Sequence, residues 1–471
     1  LPILLIQSGY SDVAKAYILY RKQREKIRNM KSTILDYKDL VDSYVKATDW
    51  RVKENSTVTY SVGGLILNNS GAITANYWLS EIYDDEVAQA HKNGDMHIHD
   101  LSMLTGYCAG WSLKQLIQEG LGGVVGKITS KPASHLATLC NQMVNFLGIM
   151  QNEWAGAQAF SSFDTYLAPF VKVDNLSYDQ VKKCIESFVY GVNTPSRWGT
   201  QAPFSNITLD WTVPNDLAEL NCIVGGKEVD FKYKDCKKEM DMINKAFIEI
   251  MIEGDAHGRG FQYPIPTYSI TSDFDWSETE NNKLLFEMTA KYGTPYFSNY
   301  VNSDMEPSDV RSMCCRLRLD LRELRRKSGG FFGSGESTGS VGVVTINMPR
   351  IAYLSESKED FYKRLDHLMD VAARSLKVKR SVITKLLDEG LYPYTKRYLG
   401  TFNNHFSTLG LIGMNEVGLN AKWLRKDLTH TETQEFAKEV LNHMRERLVI
   451  YQEEYGDLYN LEATPAESTT Y

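Results

Sequence analysis

Residues 313–347 read MCCRLRLDLRELRRKSGGFFGSGESTGSVGVVTIN. Two adjacent cysteines, Cys314 and Cys315, stand at the mouth of this stretch. Five arginines follow (Arg316, Arg318, Arg322, Arg325, Arg326), then six glycines between Gly329 and Gly342. The chain then becomes apolar from Val341 to Asn347, which predicts a buried strand stopped by Pro349. An arm this long with no core of its own points to function, and glycine lets a backbone bend or approach a ligand closely. Neighbouring side chains on a regular strand face opposite ways, so the cysteine pair is expected at a turn or loop tip with one sulfur facing a substrate. Arg316 and Arg318 beside it favour thiolate over thiol.

Outward from that arm, long amphipathic patterns alternate with short strands. Tyr77–Asn93, Pro132–Met150, Ser177–Asn193, Phe361–Glu389 and Thr433–Glu453 have helical spacing; Gln262–Thr271 and Val341–Asn347 read as strands. This alternation predicts an α/β body. Ahead of it, Asp12–Met30 and Asp36–Lys46 predict two helices, and Ser56–Ala75, rich in Ser, Asn and Gly, is expected to separate that appendage from the main body. The chain starts at Leu1 without methionine and stops at Tyr471, which suggests a fragment trimmed at both ends.

Composition narrows the partners. Across 471 residues, 52 basic against 59 acidic side chains give a net charge of −7. No basic field favours a nucleic acid. No apolar run is long enough to span a membrane and no secretory pattern opens the chain, so a soluble, cytoplasmic protein is expected. Seven scattered cysteines without C-x-x-C spacing give neither a disulfide framework nor a structural zinc site, and fit a reducing compartment.

Three further constellations bear on chemistry. In GDMHIHDLSMLTGYCAGWSL (Gly94–Leu113), His97 and His99 share one side if the segment is a strand. They open a metal site, with ligands to come from His135, His257 or His405, or they form a hydrogen-bonded cluster with Asp100 that orients the next loop. No second metal-ligand spacing appears, which favours the cluster. Cys108, among small and aromatic neighbours, reads as a packing thiol. In TFNNHFSTLGLIGMNE (Thr401–Glu416), Ser407, Thr408 and Gly410 describe a strand or loop feeding a helix, whose N-terminus would hold a phosphate or simply be capped. In EGDAHGRGFQYPIPTY (Glu253–Tyr268) the glycines do not make a dinucleotide fingerprint.

Read together, HIHDLSMLTGYCAGWSL, RWGTQAPFSNITLD, GRGFQYPIPTYSIT, MCCRLRLDLREL, GSVGVVTINMPR and NNHFSTLGLIGMNE resemble the anaerobic (class III) ribonucleoside-triphosphate reductases, in order from about residue 40 to 471. The resemblance implies a ten-stranded α/β barrel of the ribonucleotide reductase and pyruvate formate-lyase type with a central finger loop. Residues 1–30 resemble the end of an N-terminal ATP-cone domain, leaving 31–471 as the catalytic barrel. It implies that Cys315, with Cys314 beside it at the finger tip, holds the thiyl radical that removes the ribose 3′ hydrogen. Cys108 then delivers hydrogen as the 2′ hydroxyl leaves as water, a role its setting alone does not suggest. Asn347 would bond the ribose hydroxyls or formate. Ser407, Thr408, Gly410 and His99 would bind substrate. The family further implies a glycyl radical and a zinc site in a C-terminal segment not contained in this sequence, formate as reductant, ATP and deoxynucleotide effectors, a radical-SAM activase and a homodimer. Another glycyl-radical enzyme of the pyruvate formate-lyase type is the alternative.

Overall fold

The computed structural model describes residues 12–17, 20, 38–46, 60–301 and 337–463. The chain divides into two units, Leu1–Ile73 with Trp198–Gln201, and Thr74–Arg197 with Ala202–Tyr471. In the first, Tyr44 stacks on Tyr60 at 5.2 Å between ring centroids. Within the segment expected to separate appendage from body, Val62–Tyr77 forms a helix, and the boundary between the two units, Ile73 to Thr74, falls inside it. Its glycines serve close contact rather than flexibility: Gly64 and Gly71 are buried, and a Cβ on Gly63 would lie 2.2 Å from the Trp198 carbonyl oxygen.

The second unit is built on strands β1 (Met96–Ile98), β2 (Cys108–Trp111), β3 (Gln158–Phe160), β4 (Ser205–Leu209), β5 (Asn221–Val224), β6 (Lys227–Lys232), β7 (Ile265–Ile270), β8 (Tyr296–Asn299), β9 (Gly339–Asn347), β10 (His405–Ile412) and β11 (Leu458–Ala463). Among the described residues nine of them form one sheet, in the order β11-β10-β9-β2-β3-β4-β7-β8 with β1 on β9; β5 and β6 make a separate hairpin. Strands β2, β3, β4, β7 and β8 run parallel, and so do β9, β10 and β11. The two sets meet through the antiparallel β2–β9 pair. This is a curled α/β sheet of the expected barrel class.

Helices cover one face, mostly where the periodicity places them: Leu136–Met150, Tyr178–Asn193, Lys358–Asp388 and Thr431–Tyr455. Ser177 starts the second of these with a capping box, its side chain bonded to the Gln180 amide and the Gln180 side chain to its own. The pattern over Tyr77–Asn93 breaks in two, because Asp84 caps a new helix by accepting the Val87 amide at 2.9 Å.

Alternation along the strands makes the sheet's two faces chemically different. On the helix side Trp111 meets Phe146 edge-on at 5.4 Å, and the Tyr268 hydroxyl donates to Asn244 Oδ1 on helix Lys237–Glu253 at 3.1 Å. On the opposite face Cys108, Ala157 and Ala159 form a small separate cluster bordered by Tyr107 and Phe204. Small residues there leave the inner face without the bulk that fills an ordinary core.

Candidate active site

Cys108 is fully buried on β2, opposite Ser340 of β9. The two strands approach so closely that a Cβ on Gly339 would stand 2.2 Å from the Cys108 carbonyl oxygen. One glycine of the loop-and-strand stretch thus fixes where the thiol sits. The other described cysteines lie elsewhere, Cys140 and Cys184 on helices and Cys222 near Cys236 at 3.9 Å beside the β5–β6 hairpin. Cys314 and Cys315 fall outside the described residues.

His97 and His99 do lie at strand spacing, since β1 pairs His97 with Thr345. Their rings meet edge-on at 4.6 Å, and His99 Nε2 bonds Thr345 Oγ1 at 2.8 Å. Burial first, then the neighbouring His97 and Lys379 charges, push the His99 pKa down to about 3, so this ring is neutral near pH 7. Among the described residues no group of three His, Cys, Asp or Glu side chains is placed to hold a metal.

Sequence reasoning missed a buried charge cluster behind these rings. Lys379, on helix Lys358–Asp388, is 3% exposed. It passes the sheet at Gly342, where a Cβ would meet its Cδ at 2.9 Å. Burial lowers its pKa while the nearby Asp100 and Cys108 oppose that. Asp100 is held at φ 57°; burial raises its pKa against the charges of Lys379 and Arg197. Its Oδ2 has no hydrogen-bond partner among the described residues. Arg197, buried as well, donates from Nη2 to the carbonyls of Trp154, at 2.7 Å, and Gln151. Burial pulls its pKa to about 10. A lysine amid the apolar positions Leu376 and Ile383 was the sequence signal for Lys379.

The phosphate cradle expected at Ser407, Thr408 and Gly410 is corrected in position: all three lie inside β10 rather than at a helix N-terminus. Strand alternation separates them. Ser407 turns to the helix side, where its Oγ accepts from Arg380 Nη2 at 3.1 Å. Thr408 turns to the inner face, its Oγ1 donating to Asn460 Oδ1 at 2.8 Å and lying 2.9 Å from Ser340 Oγ, for which it is then the acceptor. Gly410 shares that face and pairs with Thr345. Asn347 ends β9 with both ends of its carboxamide engaged: Nδ2 donates to the Gly94 carbonyl at 2.9 Å, and Oδ1 accepts the Arg350 amide at 3.1 Å as the cap of helix Met348–Leu354. The inner face therefore joins Cys108, His99, Thr408 and Gly410 of the expected set, while Ser407 faces away.

The site thus combines a buried thiol, a neutral imidazole, a threonine hydroxyl and, close by, a buried lysine whose pKa burial lowers. A family model described as anaerobic ribonucleoside-triphosphate reductase matches residues 54–471. The anaerobic ribonucleoside-triphosphate reductase of Haemophilus influenzae is 23% identical over 514 residues, spanning 98% of this chain and 68% of the relative. That of Escherichia coli is 22% identical over 514 residues, spanning 98% and 67%. Among solved structures, the anaerobic ribonucleotide reductase of Thermotoga maritima with citrate in the active site superposes with TM-score 0.70 at 23% identity, over 95% of this chain and 83% of the other. The same enzyme in complex with dATP and CTP gives TM-score 0.70 at 22% identity, over 95% and 77%.

Proposed function

The chain belongs to the anaerobic ribonucleoside-triphosphate reductase family, and from that premise we propose which of its residues perform the chemistry. Its activity is the oxidoreductase reaction of that family, conversion of ribonucleoside triphosphates to 2′-deoxyribonucleoside triphosphates. The family match leaves the pyruvate formate-lyase alternative disfavoured.

The observation that carries the assignment is the placement of Cys108 on the small-residue inner face, beside Ser340 and within electrostatic reach of Lys379. In our reading a ribonucleoside triphosphate lies across that face. Cys315 takes the hydrogen from the ribose 3′ carbon, with Cys314 beside it. Loss of the 2′ hydroxyl as water follows, and Cys108 donates hydrogen to the 2′ carbon. The family's glycyl radical supplies the unpaired electron that this chemistry requires. Thr408 and Gly410 border the substrate, and neutral His99 offers its ring to a hydroxyl through the Thr345 contact. Asn347 reaches the ribose or formate only by giving up its bond to Gly94 or to Arg350. Ser407 acts indirectly, fixing β10 through Arg380.

Formate is the proposed reductant. The balance is one ribonucleoside triphosphate, one formate and one proton giving one deoxynucleotide, one carbon dioxide and one water. The support is that, among the described residues, no second cysteine stands on the inner face to pair with Cys108. The Thermotoga maritima enzyme's complex with dATP and CTP supports nucleoside triphosphates as substrate and deoxynucleotides as effectors here. A radical-SAM activase, a homodimer, a zinc site outside the described residues and a cytoplasmic setting complete the proposal. Among the described residues no helix is long and apolar enough to cross a membrane.

The test is Cys108→Ser in the full-length, anaerobically activated enzyme. Deoxynucleotide formation falls to background while CTP binding and the glycyl signal in electron paramagnetic resonance persist. Turnover at the parent rate would remove Cys108 from the mechanism.

A further inference from the structure

Asparagine is a poor strand former, yet Asn206 sits within β4 between the helix-side residues Ser205 and Ile207. The parallel registers align Gly110 of β2, Ala159 of β3 and Asn206 of β4 on one face, and place Ile265 of β7 on the other side of Asn206. Ala159 belongs to the Cys108 cluster, so this is the inner face. None of those three lateral neighbours has a polar side-chain atom. Asn206 is 7% exposed, and its Oδ1 has no hydrogen-bond partner among the described residues. Buried polar atoms are almost always bonded. An acceptor left without a partner among the described residues, flanked on its face by glycine, alanine and isoleucine, marks a place where a ligand supplies the donor.

We infer that Asn206 binds the base of the nucleoside triphosphate, its carboxamide oxygen accepting an N–H from the base edge. This rests on the substrate reading above and deepens it. Asn206 lies two strands across and two residues along from Cys108, roughly 12 Å by standard sheet spacings. That is too far to touch the ribose carbon reduced at Cys108, but within the span of one nucleotide. Triphosphate oxygens near pH 7 accept and do not donate, so they leave this atom unsatisfied. Every base offers an N–H on its pairing edge, and in cytosine it is the N4 amino group. A carboxamide can thus grip different bases without selecting strongly among them. The contact locates the base at β4 and the reduced carbon at β2, setting the direction in which substrate crosses the sheet.

The experiment measures binding of CTP, of N4,N4-dimethyl-CTP, which lacks the N4 donor, and of inorganic tripolyphosphate to the full-length protein and its Asn206→Leu and Asn206→Ala variants. Thermal melting checks the fold of each. The expected result is CTP binding about tenfold weaker in both variants, the scale of one hydrogen bond. Tripolyphosphate binding stays unchanged, and the preference of the parent for CTP over its dimethyl analogue is lost. Equal CTP affinity in parent and variants overturns the inference, as does equal weakening of CTP and tripolyphosphate in variants that melt like the parent. If Asn206→Leu fails to fold, the dimethyl analogue binding the parent protein as tightly as CTP overturns it. A parent protein that binds none of the four ribonucleoside triphosphates defeats the substrate reading itself, a different outcome.

Discussion

Two histidines, His405 buried and His99 half-buried, bear on how the protein responds to acid. His99 and His405 are each pushed down to a pKa of about 3, burial being the first cause in both. The unfolded chain protonates them near 6.5, so between about pH 6.5 and pH 3 it binds more protons than the folded one. Their contribution is complete above pH 6.5 and is lost as pH falls towards 3, at about 1.4 kcal/mol per pH unit for each ring. His405 stacks on Trp154 at 5.4 Å, and neither ring nitrogen has a hydrogen-bond partner among the described residues. His405→Phe is therefore expected to melt no lower than the parent at pH 7 and to flatten the fall in stability below pH 6.5. Denaturant unfolding at a series of pH values reads this directly, and an unaltered slope would refute it. The sequence offered His405 as a possible metal ligand. It had no means of showing that the ring lies flat against an indole 251 positions away in the chain's folded interior.

Elements were more legible than the contacts between them. Helical periodicity and capping chemistry are local, so Ser177 announced its helix and the long pattern from Phe361 located Lys358–Asp388. Of the six glycines in the opening stretch, Gly339 and Gly342 lie in a buried strand and are small because Cys108 and Lys379 come close to them; the other four fall outside the described residues. Gly339→Ala tests this at the scale of a strand pair. Its Cβ collides with backbone, which cannot rotate away, so a loss on the order of 3 kcal/mol is expected. Deoxynucleotide formation falls with it, because the same clash displaces Cys108. Chemical denaturation together with an activity assay checks both, and a variant as stable as the parent would show that β2 and β9 are not so closely apposed.

For the whole molecule, the order of strands turns scattered motifs into one inner face, and formate as its source of electrons is tested there. With carbon-labelled formate, labelled carbon dioxide is expected to appear one for one with deoxynucleotide, and omission of formate to stop turnover. Full turnover on a dithiol alone would replace formate with a thiol reductant. The sequence by itself determined what is local or repeated across a family. These are the α/β alternation, the helices and their caps, the absence of a basic field, and the motifs of the family. Only the tertiary structure decided which side of β10 Ser407 and Thr408 take, that Lys379 passes the sheet at Gly342, and that Asn206 Oδ1 has no hydrogen-bond partner among the described residues. Those facts depend on register between strands distant in sequence, as His99 and Thr345 are 246 residues apart yet share a hydrogen bond. A one-residue slip would send every side chain to the other face, and no local pattern specifies that choice.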